Sequence, residues 1–552
     1  MQKITFLTFL ITLSLHAQVP QWQWAKNYAL HFNSGRQYSA LDGQGNLYVA
    51  ADFSSPTLQA GAHTINNISA GTGDIYLIKF DPQGNVLWAS GFGGPDQDSL
   101  IAMECDAQGN LYLTGTFTYS IAFGSNTLSS IGQSTYLAKL APNGSPLWAK
   151  TQNNNNALQW ESQSLAVDLQ GNLIVGGAFV GQSLSFDGES VIFDNALDNS
   201  GHTFVGKFDP NGNCIWLRGA QTQEPHFMGS VARAVGVDQE GAVYVAGRFG
   251  NPSISFGDIT LTKTSSQAWN TNLYFVKYNA DGQVEWATRS GSAYSNPTDA
   301  TAVAIDAQGN ALLSGYFSNT IQVGGIELDA GASASSFIAK FDASGSVDWA
   351  RAVTASGCAS THNSIDTDAQ GGVYLSGFTN CQNIGFGDGI ELNFTGQGHL
   401  YVAKYNAEGQ AQWARQSGNA TAANYSSISV MNPGEIYVAG TFPTPTITFG
   451  STTLTKTSDN YNLFVAKLYS AALGIDRFDM AKTTVAPVPA SESVSIRSAE
   501  YPISYTITDA SGKTIKSGTI ASDREFIEIG HLSKGLYFLT LPGAGTHKII
   551  KE

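Results

Sequence analysis

Charge is scarce in this chain. Asp, Glu, Lys and Arg together make up 13% of 552 residues, and the 28 basic side chains are outnumbered by 43 acidic ones, for a formal net charge of −15. That balance excludes nucleic acid or an anionic membrane surface as the main partner, since either wants a basic face. Helical periodicity is nearly absent, and after the first seventeen residues no apolar run reaches the length of a membrane-spanning helix. The nine histidines are scattered without metal-ligand spacing. Nucleophile-elbow, phosphate-loop and dinucleotide signatures are missing. No catalytic residue, metal or cofactor is therefore assigned. Cysteine is rare too, at four.

What is abundant is glycine, at 59 residues, in a pattern of short alternating strands and tight turns. An Asp-x-x-Gly turn recurs at Asp42, Asp106, Asp168, Asp238, Asp306 and Asp368, with a degenerate seventh copy from Met431 to Glu435. A lysine closes each third strand, at Lys79, Lys139, Lys207, Lys277, Lys340, Lys404 and Lys467. The fourth strand carries Trp88, Trp148, Trp216, Trp286, Trp349 and Trp413, and the seventh repeat has none. The missing strand stands at the other end, where Gln23-Trp24-Ala25-Lys26 matches Leu147-Trp148-Ala149-Lys150. An N-terminal strand that completes the last blade leaves no unpaired edge. The pattern predicts an all-β fold, a seven-bladed β-propeller over residues 18–470 closed by its N-terminal strand, with small apolar first strands lining a central channel.

Repetition also decides what the repeated residues do. A catalytic or metal site needs different groups converging on one point, and seven equivalent lysines around a ring never meet. The lysines read as stems over apolar surface with their ammonium groups near solvent, the aspartates as turn formers, and the tryptophans as packing between blades. The glycine shared by the second strands, from Gly115 to Gly440, allows close approach of a neighbouring backbone. A recurring Ile-x-Phe-Gly segment, as at Ile121 and Ile254, reads as a small hairpin packing its Phe on the blade. With Asp368 and Gly371 as turn corners, cross-strand positions sum to 739, which sets Cys358 opposite Cys381 as a disulfide. Cys105 and Cys214 fall near the axis and near the rim and stay unpaired.

These repeats resemble the bacterial seven-bladed propeller repeat family, with its Asp-x-x-Gly-Asn-apolar-Tyr-Val-x-Gly signature and Ala-Lys third strand, and are similar to NHL-type repeats. The resemblance implies a fold that more often binds than catalyses. The Asp209 to Trp216 spacing differs from the sialidase Asp-box by one residue on each side of the glycine, and no sialidase chemistry is carried over.

Residues 1–17 read as a signal peptide, with Lys3, an apolar run and Leu15-His16-Ala17 before the cut. Residues 471–485 read as a linker. From 486 to 552 a small β-sandwich begins at Ala486-Pro-Val-Pro-Ala490 and continues through an Asp509-x-x-Gly-Lys turn, Leu532-Ser-Lys-Gly-Leu-Tyr537 and Lys548 to Lys551. This unit resembles the C-terminal sorting domain of the type IX secretion system of Bacteroidota, with Ala486 and Val488 where Tyr and Asn are commoner. The resemblance implies the type IX machinery as a partner and a secreted or surface location.

Non-repeated loops before each first strand are free of packing constraint, and they supply Asp98, Trp160, Glu161, His226, Tyr294 and Asp299 as candidate ligand-binding residues. Aromatic and amide side chains of this kind suit a glycan. The resulting expectation is a binding or adhesion module for a glycan or protein ligand, without catalysis. Two alternatives stay open: a polysaccharide hydrolase or lyase that pairs Asp98 with Asp299 across the channel, and a structural surface-layer component.

Overall fold

The structure is a computed structural model. It describes residues 19–30, 36–69, 71–151, 160–192, 201–222, 229–264, 269–291, 298–355, 360–395, 398–418, 425–432, 434–458 and 461–469, and, in the C-terminal part, 484–486, 489–497, 502–510, 512–522, 525–541 and 545–551. Residues 19–470 make one compact unit, and residues from 471 onward belong to another. All regular structure among the described residues is β.

Each Asp-x-x-Gly turn forms for a local reason. Asp306 Oδ1 accepts the backbone N–H groups of Gln308 and Asn310 at 3.0 and 2.9 Å, and the Asn310 amide donates to Oδ2 at 2.9 Å. Gly309 takes a φ of 80°, where a side chain would be strained. The same carboxylate-to-backbone bonds recur at Asp42, Asp106 and Asp168.

Such turns join the strands into seven four-stranded antiparallel sheets, the fifth of them extended by a hairpin. In the fourth sheet Ser230–Val237, Val243–Phe249, Asn272–Tyr278 and Val284–Ser290 follow in that order. First strands touch one another in chain order, and Ser426–Asn432 of the seventh sheet touches Tyr38–Leu41 of the first. There the Ser39 and Ser429 hydroxyls lie 2.8 Å apart. The seventh sheet takes its outer strand from the other end of the chain: Gln21–Leu30 pairs antiparallel with Tyr461–Tyr469. The Ile-x-Phe-Gly hairpins bury their Phe on the third strand, with Phe123 on Tyr136 at 5.1 Å and Phe256 on Tyr274 at 4.9 Å between ring centroids.

Neighbouring sheets are locked by the tryptophans, which do more than pack. Trp148, Trp216, Trp286 and Trp349 donate their indole N–H to a carbonyl in the turn between strands three and four of the next sheet, at 2.9–3.0 Å. Their rings lie against the turn glycine, so that a Cβ at Gly282 would meet Trp216 at 2.8 Å. Two residues on, Lys150, Arg218 and Arg351 reach the carbonyls of Gly212, Gly282 and Gly409. Trp24 of the N-terminal strand sits against Gly84 of the first sheet in the same way. The sixth sheet meets no such turn, because the seventh receives its outer strand from the N-terminus. Arg415 instead donates to the Pro20 carbonyl at 2.8 Å.

The repeated lysines correct the expectation of ammonium groups near solvent. Lys79, Lys207, Lys340 and Lys404 are ion-paired at 2.9–3.1 Å to Asp42, Asp168, Asp306 and Asp368, whose carboxylates are buried. Lys79 and Lys404 also lie over Tyr48 and Tyr374 at 4.7 Å. The physical reason is that the turn aspartate has acceptor capacity left after binding its own backbone, and it lies beside the end of the third strand. Lys467 binds Glu435 at 2.9 Å in the degenerate seventh copy, and Lys277, beside an intact turn at Asp238, binds Glu285 at 3.0 Å instead.

Sequence register and structure differ around the cysteines. The turn at Asp368 closes on Gly372, not Gly371, with a backbone bond of 2.9 Å. Pairs near it therefore sum to 740, as Thr367 with Val373 does. A bulge between His362 and Ser364 then lowers the sum to 739, as in Ser360 with Thr379. Cys381 is buried at 1% exposure; Cys358 lies outside the described residues. Cys105 and Cys214 are free.

In the C-terminal unit, a sheet of Thr484–Ala486, Ser493–Arg497 and Phe526–Glu528 accompanies a sheet of Thr514–Ile520, Ile503–Asp509, Gly535–Leu541 and Gly545–Lys551. They enclose a core containing Ile496, Ile507, Ile527, Leu539 and Ile549.

Burial alone would raise the Asp306 carboxyl, but hydrogen bonds from Asn310 and Lys340 outweigh it and hold it below the usual carboxylate range. A depressed carboxylate stabilises the fold above its unfolded-state pKa, and this stability is lost as pH falls through the folded value. Lys340→Met is expected to lower the unfolding free energy by about 3 kcal/mol by stranding Asp306, and Lys340→Met with Asp306→Asn to cost less than the single change. Chemical denaturation at pH 7 and pH 3 measures both, and the gap between wild type and Lys340→Met should shrink in acid. Deleting residues 19–30 opens the edge of Tyr461–Tyr469 and is expected to cause self-association, read by size-exclusion chromatography.

Candidate functional site

The first strands surround an axial channel, and a backbone irregularity recurs as they enter it. A one-residue bulge falls at Ile101, Gln163, Arg233, Thr301 and Asn363 in sheets two to six. A bulge breaks pairing and re-aims a side chain. The conserved place of the second-strand glycine follows from it: a Cβ at Gly115, Gly247 or Gly315 would collide with the first-strand carbonyl of Ser99, Val231 or Asp299. Ile101, Gln163, Arg233 and Thr301 accordingly line a cavity of about 210 Å³ at one end of the channel, together with Arg36, Gln37, Tyr38, Tyr425 and Ser427. This end is the channel mouth adjoining the candidate loops.

Arg233 is fixed from two sides, donating to Asp299 Oδ2 at 3.1 Å and to Gln163 Oε1 at 3.0 Å. Arg248 reaches the same Asp299 oxygen at 3.4 Å. Burial pushes the Asp299 carboxyl up, against the lowering pull of the two guanidinium groups. Arg36 stacks over Tyr425 at 5.2 Å.

Deeper in the channel a second cavity of about 380 Å³ is lined two residues before each turn by Ala40, Glu104, Ala166, Gly236, Ala304, Asp366 and Ser429. Two carboxyls thus occur in an otherwise small, uncharged ring. Burial, with Asp366 adding to it, pushes Glu104 up to about 8. Burial also raises Asp366 to about 6, against backbone N–H bonds from Val430 and Thr367. Glu104 is reached by water along the channel, yet protein surrounds it, which accounts for both its exposure and its shifted acidity.

The loop candidates are not brought together as a set. Asp98 is fully buried at the start of its strand. It is pushed up to about 8 by burial, with Asp74 and Asp96 adding to the shift and the Gly94 and Thr118 backbone opposing it. Asp299 is committed to Arg233 and Arg248 in another part of the ring, and neither carboxylate is among the residues lining the two cavities. Trp160 and Glu161 open the first strand of the third sheet, opposite Phe179 and Ala178. His226 and Tyr294 lie outside the described residues. The channel residues Arg36, Arg233, Glu104 and Asp366 were missed because the first strands read as uniformly apolar. For Glu104 and Asp366 the signal was departure from the repeat: a carboxyl where the five sister strands carry Ala, Gly or Ser.

Among described residues no group of three or more His, Cys, Asp or Glu could hold a metal ion, and no helix is long and apolar enough to cross a membrane.

Comparison with known proteins gives the following similarities. An uncharacterised WD repeat-containing protein of Acanthamoeba polyphaga mimivirus is 21% identical over 510 residues, covering 77% of this chain and 36% of that relative, so the chain spans about a third of its length. Among solved structures, a polysaccharide lyase, an ulvan lyase, is 11% identical with a TM-score of 0.37 over 75% of this chain and 93% of the other. PorZ, described as a surface component of the type IX secretion system of Porphyromonas gingivalis, is 12% identical with a TM-score of 0.23 over 93% of this chain and 70% of that one. Residues 484–552 match the family model of the secretion system C-terminal sorting domain, which marks this chain as a protein sent to the cell surface by type IX secretion.

Proposed function

We propose that this protein is a surface-displayed binding module that takes an extracellular glycan or protein ligand at the mouth of its axial channel. The observation that supports it best is the ring of bulges. Identical positions carry identical side chains where the role is structural, as in the Lys–Asp pairs, but the bulge side chains pointing at the mouth differ from sheet to sheet. Varied polar, aromatic and apolar groups converging on one concave opening are what ligand recognition requires. Export by the C-terminal unit places that opening outside the cell, where such ligands are met.

The runner-up reading, a polysaccharide hydrolase or lyase, is favoured by one observation: Glu104 and Asp366 share a cavity while differing in acidity, an arrangement that suits an acid paired with a base. Asp98 and Asp299 do not support this reading, since neither lines the shared cavity, Asp98 being fully buried and Asp299 ion-paired to Arg233 and Arg248. Incubating the full chain with a glycan panel and analysing the mixture by mass spectrometry tests both. Retention without new products is expected. Products that disappear in Glu104→Gln would transfer the assignment to the enzyme.

We also propose that Cys358 and Cys381 form a disulfide. Ser360 stands opposite Thr379, two residues inside the proposed bond; Cys381 is buried, and Cys105 and Cys214 are free. The bond should stabilise by about 3 kcal/mol. Thiol titration of the denatured, unreduced protein is expected to find two thiols; four would refute the pairing.

A further inference from the structure

The mouth cavity is bordered where the first and seventh sheets meet, and its chemistry there differs from the rest of the rim. Arg36 stacks on the Tyr425 ring at 5.2 Å and hydrogen-bonds the Tyr38 hydroxyl. No carboxylate lies within ion-pair distance of it among the described residues. A guanidinium set over an aromatic ring, with no carboxylate partner, is suited to a planar or multi-oxygen anion. Arg233, by contrast, is already neutralised by Asp299.

A second, independent observation points to a ligand. Ser427 is among the residues lining the same cavity, is buried with 7% of the residue exposed, and its Oγ has no hydrogen-bond partner among the described residues. A buried hydroxyl left unpaired costs free energy, and a ligand hydroxyl or a water would satisfy it. The lining holds one carboxyl, Glu104, against the two guanidinium groups of Arg36 and Arg233. In a chain of net charge −15 the cavity lining therefore carries positive charge.

We infer that the channel mouth binds an anionic sugar residue, one bearing a carboxylate or a sulfate, with Arg36 as its ion partner and Ser427 as a hydroxyl contact. This rests on the binding-module reading above and adds the ligand class. The sugar's charged group meets the free edge of the guanidinium, its hydroxyls meet Ser427, and Tyr38 and Tyr425 supply rigid surface beside the ring. Electrostatic recognition of this kind weakens with salt.

The test is isothermal titration of the full chain with four probes: an oligogalacturonate, its neutral methyl ester, a sulfated galactan oligosaccharide and the same oligosaccharide without sulfate. The expected result is that at least one anionic probe binds about tenfold more tightly than its neutral counterpart, and that Arg36→Gln removes this difference. Arg36→Lys, which keeps the charge and loses the fork, should restore part of it, and Ser427→Ala should weaken both members of a pair alike. Thermal midpoints of the variants confirm folding. Equal affinity for charged and neutral members, or an unchanged preference in folded Arg36→Gln, overturns the inference and leaves the binding reading standing. No binding by any probe overturns the glycan form of both.

Discussion

One buried ion pair recurs through four of the seven repeats. In the sixth sheet Asp368 spends Oδ1 on its own backbone and turns Oδ2 toward Lys404 at the end of the third strand, with the second-strand Tyr374 beneath the ammonium. Turn, third strand and second strand are thereby fixed to one point. A carboxylate already hydrogen-bonded and a cation already over an aromatic face are partly relieved of the desolvation cost that makes most buried pairs unfavourable. The outer strand follows, because its tryptophan needs the next sheet's turn to be in place before the indole can donate to it.

That dependence makes the ring a chain of equivalent locks, and the last lock is the informative one. The seventh sheet has no turn of its own between its third and outer strands, so the N-terminal strand carries both Trp24 against Gly84 and the Pro20 carbonyl that receives Arg415. Closure thus requires residues from the two ends of the propeller unit to meet. The chemistry of the seam differs from that of the other interfaces for this reason, and Arg36, Tyr38 and Tyr425 border the channel mouth beside it.

Function in a repeat protein is expected where the repeat is broken. The bulge is shared by five sheets, so the backbone device is structural, but the side chains it turns inward are Ile, Gln, Arg and Thr where they are described. Glu104 and Asp366 break an Ala, Gly and Ser pattern in the same way deeper in the channel. Carboxyls there shift upward because a narrow channel admits water without providing the solvation of bulk, whereas Asp42, Asp306 and Asp368 shift downward because hydrogen bonds and lysine are within reach.

Strand order, the turn chemistry, the strand supplied from the N-terminus and the secretion unit were all legible in the chain, because each rests on local rules: period-2 alternation, glycine at positive φ, an Asp that binds its own backbone. The hairpin at Asp368 was read from the wrong corner of its turn, and a bulge between His362 and Ser364, which no local rule announced, brings the sum to 739 at Ser360 and Thr379. Asp98 and Asp299 were legible as loop carboxylates but not as separate, buried groups, since their partners Asp74, Arg233 and Arg248 lie on other strands. By itself the sequence determined the repeating unit, the number of its copies and the route out of the cell. Only the tertiary structure decided which side chains enter the channel and whether the lysines are solvated or paired, because both depend on bulges and on contacts between residues far apart in the chain.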